Sequence, residues 1–279
     1  MREVTVLTHR QPHETAHALG QLARQAAQAG VRLRLDEEET RKHALADDPA
    51  VAVNAPLKDE VELCIVLGGD GTILRALQRY AGTGVPVFAV NFGEIGFLAT
   101  IEPADIEDGF KRALGGDFDL LRLPAIVLDG PRRTAINDVA VHRKVGERVA
   151  EIAYALAGEV VGSVRCDGLV AATPAGSTGY NLANGGPVMA WGVEGSVVSF
   201  IAPHSLTARA LVVAPGDLLT IHNRSRDPLD IAVDGRPAGE IAPGASIDAH
   251  FEHDLGTIAL LPGSSFYRRL REKFGRLAS

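Results

Sequence analysis

The sequence predicts an α/β N-terminal domain with a largely parallel sheet, followed by an all-β, sandwich-like domain. Three observations lead there. Across residues 1–117, short apolar runs alternate with segments of helical apolar spacing, the βαβ pattern. Across residues 118–263, short runs rich in Val, Ile and Ala recur between turn signals. The chain has 279 residues, 46% hydrophobic and 23% charged, enough for sizeable cores in two domains.

The elements follow in order. Residues 4–7 form a short β-type run, and residues 14–30 carry helical spacing with Gly30 as the stop. Residues 31–35 alternate as a strand does. Residues 63–67 and 85–90 read as buried strands, with a helix over 72–80 between them. Pro103 opens a further helix in "ADIEDGFKRAL". The β-type runs "AIVLDG", "AINDVAVHR", "VAEIAYALAG", "LLTIHN", "LDIAVDG" and "TIALL" then follow, with one short helix after "TPAGSTG". The tail "SSFYRRLREKF" is helical, and residues 264–279 are expected to pack back on the first domain. No solenoid-type repeat is visible.

Composition excludes several classes of function. A net charge of -7 argues against general nucleic-acid binding. Cys64 and Cys166 are far apart and lack metal-ligand spacing, so they read as buried thiols of a reducing compartment. The opening "MREVTVLTHRQPHET" is polar where a signal peptide is apolar, and no run is long enough to span a bilayer. A soluble, cytoplasmic protein without a membrane partner is expected.

Two loops carry the chemistry. "GGDGTIL" nearly fits the dinucleotide fingerprint, but Leu74 stands at its last glycine, and no Gly-Lys pair exists for a Walker loop. The plain reading is a strand-to-helix turn with Asp70 and Thr72 capping the helix. The alternative is an anion cradle made by glycine amides and a helix N-terminus. An aspartate there makes sense when a carboxylate must take a proton from a hydroxyl that attacks the cradled phosphate.

The second loop is "DGLVAATPAGSTGYNLANGGP". "AGSTG" resembles a nucleophile elbow, but Ala175 replaces the first glycine. Ser177 or Thr178 capping "YNLA" is the plain reading, although the small residues run on to Gly185, Gly186 and Pro187. His9, His13 and His17 share helical spacing and are expected to face solvent, and His204 reads as a loop residue. Asn137-Asp138 reads as a turn or strand-end pair and Asp234-Gly235 as a hairpin signal.

In order, "GGDGT", "NFGEIGFL", "IND", "DGLVAATPAGSTGY", "GGP", "PHSLTAR" and "VDGR" resemble the NAD kinase family. "GGDGT" is shared with phosphofructokinases and lipid kinases; the long second motif is specific. The resemblance implies an NAD-kinase-like fold with its site in the cleft between an α/β and a β-rich domain. It implies phosphorylation of the 2′-hydroxyl of the adenosine ribose of NAD. ATP is the donor, polyphosphate in some members, and a divalent metal, usually Mg²⁺, takes part through ligands the motifs leave unknown.

By the same resemblance Asp70 matches the catalytic aspartate, with Gly71 beside it, and Asn137 and Asp138 match the pair that binds NAD. Arg75, Arg148 and Arg165 stand at positions contacting ligand phosphates or polar edges. Asp167 and the run Thr178, Gly179, Tyr180, Asn181, Leu182 and Ala183 line the nicotinamide and adenine regions. Arg236 replaces a common glutamine, Ala175 a threonine, and Gly179 an alanine. Asp167 near the nicotinamide favours the oxidised, cationic ring. A homodimer or homotetramer is expected, since the many short β-type segments leave edges needing cover.

Overall fold

The computed structural model describes residues 2–94, 96–129 and 133–275. Outside them lie Met1 of the opening stretch, Ile95 in "NFGEIGFL", Gly130 in "AIVLDG" and residues 276–279 of the tail. The chain forms two compact units. One holds the residues up to Arg122 and those from Gly256 onward; the other is Leu123–Leu255.

In the first unit the elements run β1 (Arg2–Thr8), α1 (Pro12–Ala29), β2 (Val31–Arg34), α2 (Glu37–His43), β3 (Val51–Ala52), β4 (Leu63–Gly68), α3 (Asp70–Arg79), β5 (Val87–Asn91) and α4 (Ile106–Gly115). The strands lie in the order β3-β2-β1-β4-β5, all parallel. Ile258, near the chain's end, pairs parallel with Val87. β4 and β5 are buried throughout, which is why they read as unbroken apolar runs. Helix α1 starts with a proline in its first turn and buries Ala18, Leu19, Leu22 and Ala26. It stops at Gly30, whose φ of 65° is the left-handed conformation that suits glycine. The sheet's residues and these helices share one core that includes Val6, Leu22, Ile65, Phe88 and Phe110.

The second unit holds the end of β6 (Asp119–Leu128), β7 (Arg133–Ala135), β8 (Asp138–Arg143), β9 (Ala150–Leu156), β10 (Glu159–Cys166), β11 (Gly168–Ala172), α5 (Tyr180–Ala183), β12 (Ser196–Ile201), β13 (Leu211–Val213), β14 (Leu219–Asn223), β15 (Leu229–Val233), β16 (Arg236–Ile241) and the start of β17 (Ser246–Leu260). One sheet is antiparallel, in the order β13-β12-β11-β8-β15-β16. A second joins β10, β9, β14 and the first half of β17, also antiparallel. Inward residues of both, such as Val139, Val141, Ile152, Leu169 and Ile221, meet in one core, which makes a sandwich. The chain's last helix, α6 (Phe266–Phe274), belongs to the first unit.

Candidate active site

In the first unit the decisive turn joins β4 to α3. Gly69 is the N-cap and no side chain caps the helix. The helix-cap reading of Asp70 and Thr72 is therefore replaced. The Asp70 carboxylate turns away from its own helix and accepts the N–H groups of Phe97 at 3.1 Å and Leu98 at 3.0 Å. Glycines let the two loops meet. A Cβ on Gly93 would lie 2.8 Å from the Gly69 Cα, a distance real side chains do not tolerate. Gly71 differs: it is exposed, and a Cβ there would meet nothing within 4 Å. It sits in the first turn of α3, where unbonded amides and the helix dipole favour an anion.

Arg75 lies one turn further along α3. It pairs with Glu38 at 3.4 Å and with Glu39 at 3.1 Å. Glu39 is buried and also holds Lys42 at 2.9 Å and the Thr8 hydroxyl at 2.6 Å. This polar cluster fixes the guanidinium stem. Its acidic members on α2 gave no distinct signal in the sequence.

In the second unit the residues gather around Asp234. The β15–β16 turn places Asp234 at φ 46° and Gly235 at φ 72°, the pattern of a tight hairpin. Its carboxylate then accepts three backbone N–H groups, from Ile136 at 3.0 Å, Asn137 at 2.7 Å and Asp138 at 3.0 Å. Read from sequence, Asp234 was a hairpin residue only. Asp138 is buried, and burial first, then the Asp234 charge, push its carboxyl up to about 7.

The turn after β11 packs on the same segment. Thr173 donates its N–H to the Asn137 carbonyl at 2.8 Å and its hydroxyl to the Ile136 carbonyl at 2.6 Å. A Cβ on Gly176 would lie 2.0 Å from the Asn137 oxygen, so backbone contact explains the small residues of "PAGSTG". Ser177 is fully buried, donates to the Pro174 carbonyl at 2.7 Å and accepts the Met189 N–H at 2.9 Å. That bonding leaves it no role as a nucleophile. The N-cap of α5 is Gly179 without a side-chain bond, so neither Ser177 nor Thr178 caps it. Ala175 is buried, and Thr178 donates to its carbonyl at 3.2 Å.

Tyr180 is accessible and stacks on His142, with ring centroids 5.7 Å apart. Burial, then Asp138 and Asp167, raise the Tyr180 hydroxyl above its ordinary range. Asn181 is buried and donates to the Ser177 and Pro187 carbonyls, both at 3.0 Å. The side-chain oxygens of Asn137 and Asn181 are buried acceptors with no hydrogen-bond partner among the described residues. Leu182 and Ala183 follow on α5, and Ala183 is exposed.

Asp167 is held by Arg143 at 2.6 Å, and that hydrogen bond keeps its carboxyl below the usual range. Arg143 was missed because a lone arginine at a strand end looks like any surface cation. Arg165 is exposed on β10 opposite Glu151, Arg148 is exposed before β9, and Arg236 is exposed just after the Asp234-Gly235 turn. Among the described residues no ion pair joins these three arginines to the Asn137–Asp138 group. Among the described residues no three His, Cys, Asp or Glu side chains cluster as a metal site. No helix of the described residues is long and apolar enough to cross a membrane.

Known proteins resemble the chain over both units. A family model for the ATP-NAD kinase N-terminal domain matches residues 6–118, and one for the ATP-NAD kinase C-terminal domain matches residues 136–250. The NAD kinase of Leifsonia xyli subsp. xyli is 34% identical, covering 98% of this chain and 94% of its own. That of Symbiobacterium thermophilum is 36% identical, with 80% and 81% covered. Among solved structures, yeast NADH kinase complexed with NADH matches with a TM-score of 0.88 at 21% identity, covering 100% of this chain and 89% of that one. An NAD kinase from Archaeoglobus fulgidus in complex with ATP matches with a TM-score of 0.76 at 24% identity, covering 100% and 99%.

Proposed function

The chain belongs to the NAD kinase family, and from that premise we propose how its residues divide the work of making NADP from NAD and ATP. The reaction transfers the terminal phosphoryl group of ATP to the 2′-hydroxyl of the adenosine ribose. Phosphoryl transfer needs little covalent chemistry from a protein; it needs positioning, charge stabilisation and a proton acceptor.

One observation carries the assignment of Asp70 as that acceptor. It stands at the N-terminus of α3 without capping it, and both its oxygens are fixed by the Phe97 and Leu98 amides. Each carboxylate oxygen keeps a further lone pair, so a held Asp70 still takes the ribose proton. Gly71 exposes the helix N-terminus to donor phosphates, and Arg75, anchored by Glu38 and Glu39, offers its charge to them. In the second unit Asn137 and Asp138 bind NAD on the frame that Asp234 sets. The buried Asn137 and Asn181 oxygens suit amino or hydroxyl donors of a nucleotide. Tyr180 offers an accessible ring, and Ala175, Thr178, Gly179, Leu182 and Ala183 are proposed to line the nucleotide with it. Asp167 sits by the nicotinamide, and Arg148, Arg165 and Arg236 reach its phosphates or polar edges.

A divalent metal, Mg²⁺ first, fits this donor set as a companion of the nucleotide. Mg²⁺ at phosphates keeps several waters and takes one or two carboxylates, so the absence of a three-residue cluster among the described residues is compatible with it. Bound there, it neutralises charge developing on the phosphate oxygens. Asp70 is the residue proposed to stand nearest.

We further propose a cytoplasmic homodimer or homotetramer. The buried, unpaired thiols of Cys64 and Cys166 support a reducing compartment, and burial raises both thiols, Cys166 to about 11. The test of function is NADP formation from NAD, run with ATP and separately with polyphosphate. NADP formation with neither donor contradicts the proposal.

A further inference from the structure

One peptide group in the first unit faces opposite charges at its two ends. The amide joining Phe97 to Leu98 donates its N–H to Asp70 at 3.0 Å, and its carbonyl accepts the Arg269 guanidinium at 3.2 Å. The same guanidinium nitrogen also donates to the Ala99 carbonyl. We propose that Arg269, on the C-terminal helix α6, is a positioning residue for Asp70, acting through this amide. The proposal rests on the reading of Asp70 as the proton acceptor.

A cation at the oxygen end polarises the amide and strengthens the N–H that holds the carboxylate, since hydrogen bonds in series reinforce one another. It also fixes the plane of the peptide, and with it the direction of Asp70. Burial lowers Arg269 from its ordinary range, the neighbouring Arg268 adds to this, and the Asp70 charge opposes it. Docking α6 would not require that cost. Phe97 already packs on Phe266 and Phe274, with ring centroids 6.2 and 5.6 Å away. The same helix reaches the other end of the loop. Lys273 pairs with Glu102 at 3.1 Å, Glu102 accepts the Asn91 side-chain amide at 3.0 Å, and Asn91 accepts the Gly93 N–H at 3.0 Å. Helix α6 thus holds the loop that holds Asp70.

The experiment compares Arg269→Met, Arg269→Lys, Asp70→Asn and the Arg269→Met/Asp70→Asn double variant, measuring kcat, both KM values and melting temperature. Small misplacements of a catalytic group cost roughly 10- to 100-fold in rate. Arg269→Met is expected to lower kcat by about that factor, with both KM values within about threefold. Arg269→Lys, which keeps a charge, is expected to retain more of the rate, and guanidinium ion added to Arg269→Met to restore part of it. On the Asp70→Asn background the Met substitution should cost nothing further, because the two act as one unit. Backbone exchange of the 96–99 segment should quicken in Arg269→Met. If Arg269→Met falls in melting temperature while kcat holds within about threefold, α6 is only a structural helix and the inference fails. If Arg269→Met does not fold, Arg269→Lys decides alone: unchanged kcat with quickened exchange overturns the inference. If Asp70→Asn itself keeps its turnover, the underlying reading of Asp70 fails instead.

Discussion

Asp234 accepts the backbone N–H of Asp138 at 3.0 Å, and burial, with the Asp234 charge adding to it, pushes the Asp138 carboxyl up to about 7. The loop frame and the electrostatics of the second unit are therefore one feature. A carboxyl that binds its proton more tightly when folded stabilises the native state at low pH. Its contribution is complete below the unfolded value of about 4 and is lost as pH rises through about 7. We predict that this group makes the melting temperature fall between about pH 4 and 7 and that Asp138→Asn flattens this slope. An identical slope in the variant would remove Asp138 as its source.

Gly71 and Gly93 separate two reasons for a glycine. A Cβ at position 93 would collide with Gly69, whereas one at 71 meets nothing. Gly93→Ala should lower the melting temperature and the rate together. Gly71→Ala should leave the melting temperature unchanged yet raise the KM for ATP or lower kcat about tenfold or more, since only a closely approaching phosphate would feel the methyl group. Full activity in Gly71→Ala would show that donor phosphates do not approach there.

The proposed place of Asp167 by the nicotinamide gives a prediction about the redox state of the substrate. Asp167 is charged, and its field is partly met by Arg143 at 2.6 Å. We predict a modest preference for NAD over NADH, and a larger one in Arg143→Met, where the carboxylate is unopposed. Steady-state kcat/KM on both substrates measures this; equal ratios in wild type and variant would contradict it.

Much of this was legible in the sequence, for identifiable reasons. Buried parallel strands such as β4 and β5 announce themselves as apolar runs, and Gly30 marks the end of α1 because only a left-handed residue suits that cap. The helix α2 was missed, because seven residues dominated by charge have no apolar period to read. Asp70 and the Asn137–Asp138 pair were visible as motif residues. What each carboxylate holds was not. Asp70 reaches the amides of Phe97 and Leu98, and Asp234 those of residues 136–138, across separations that no local pattern records. Arg143 and Arg269 were invisible for the same reason.

Assembly is a further prediction. Edge strand β13 exposes Leu211 and Val212, and edge strand β10 exposes Val160 and Val161, apolar edges that monomers usually blunt. Light scattering should give a dimer or tetramer, and Val212→Lys or Val161→Lys should weaken it. A mass of 29.5 kDa at micromolar concentration would show a monomer and contradict this.

Asp70→Asn separates proton transfer to Asp70 from the residue's structural role. Asparagine is near in shape, but its amide nitrogen must face one of the two N–H groups that now meet carboxylate oxygens. A loss of about 1 kcal/mol of stability is therefore expected, with NAD affinity kept. Because no cap is lost, stability alone cannot slow the reaction far. Loss of a general base costs roughly 10²–10⁴ in rate. The decisive measurement is kcat of the purified variant, with its melting temperature and NAD affinity recorded on the same sample. If Asp70 is the proton acceptor, kcat falls by about 10²-fold or more at near-native NAD affinity; turnover within about threefold of wild type would show that it is not.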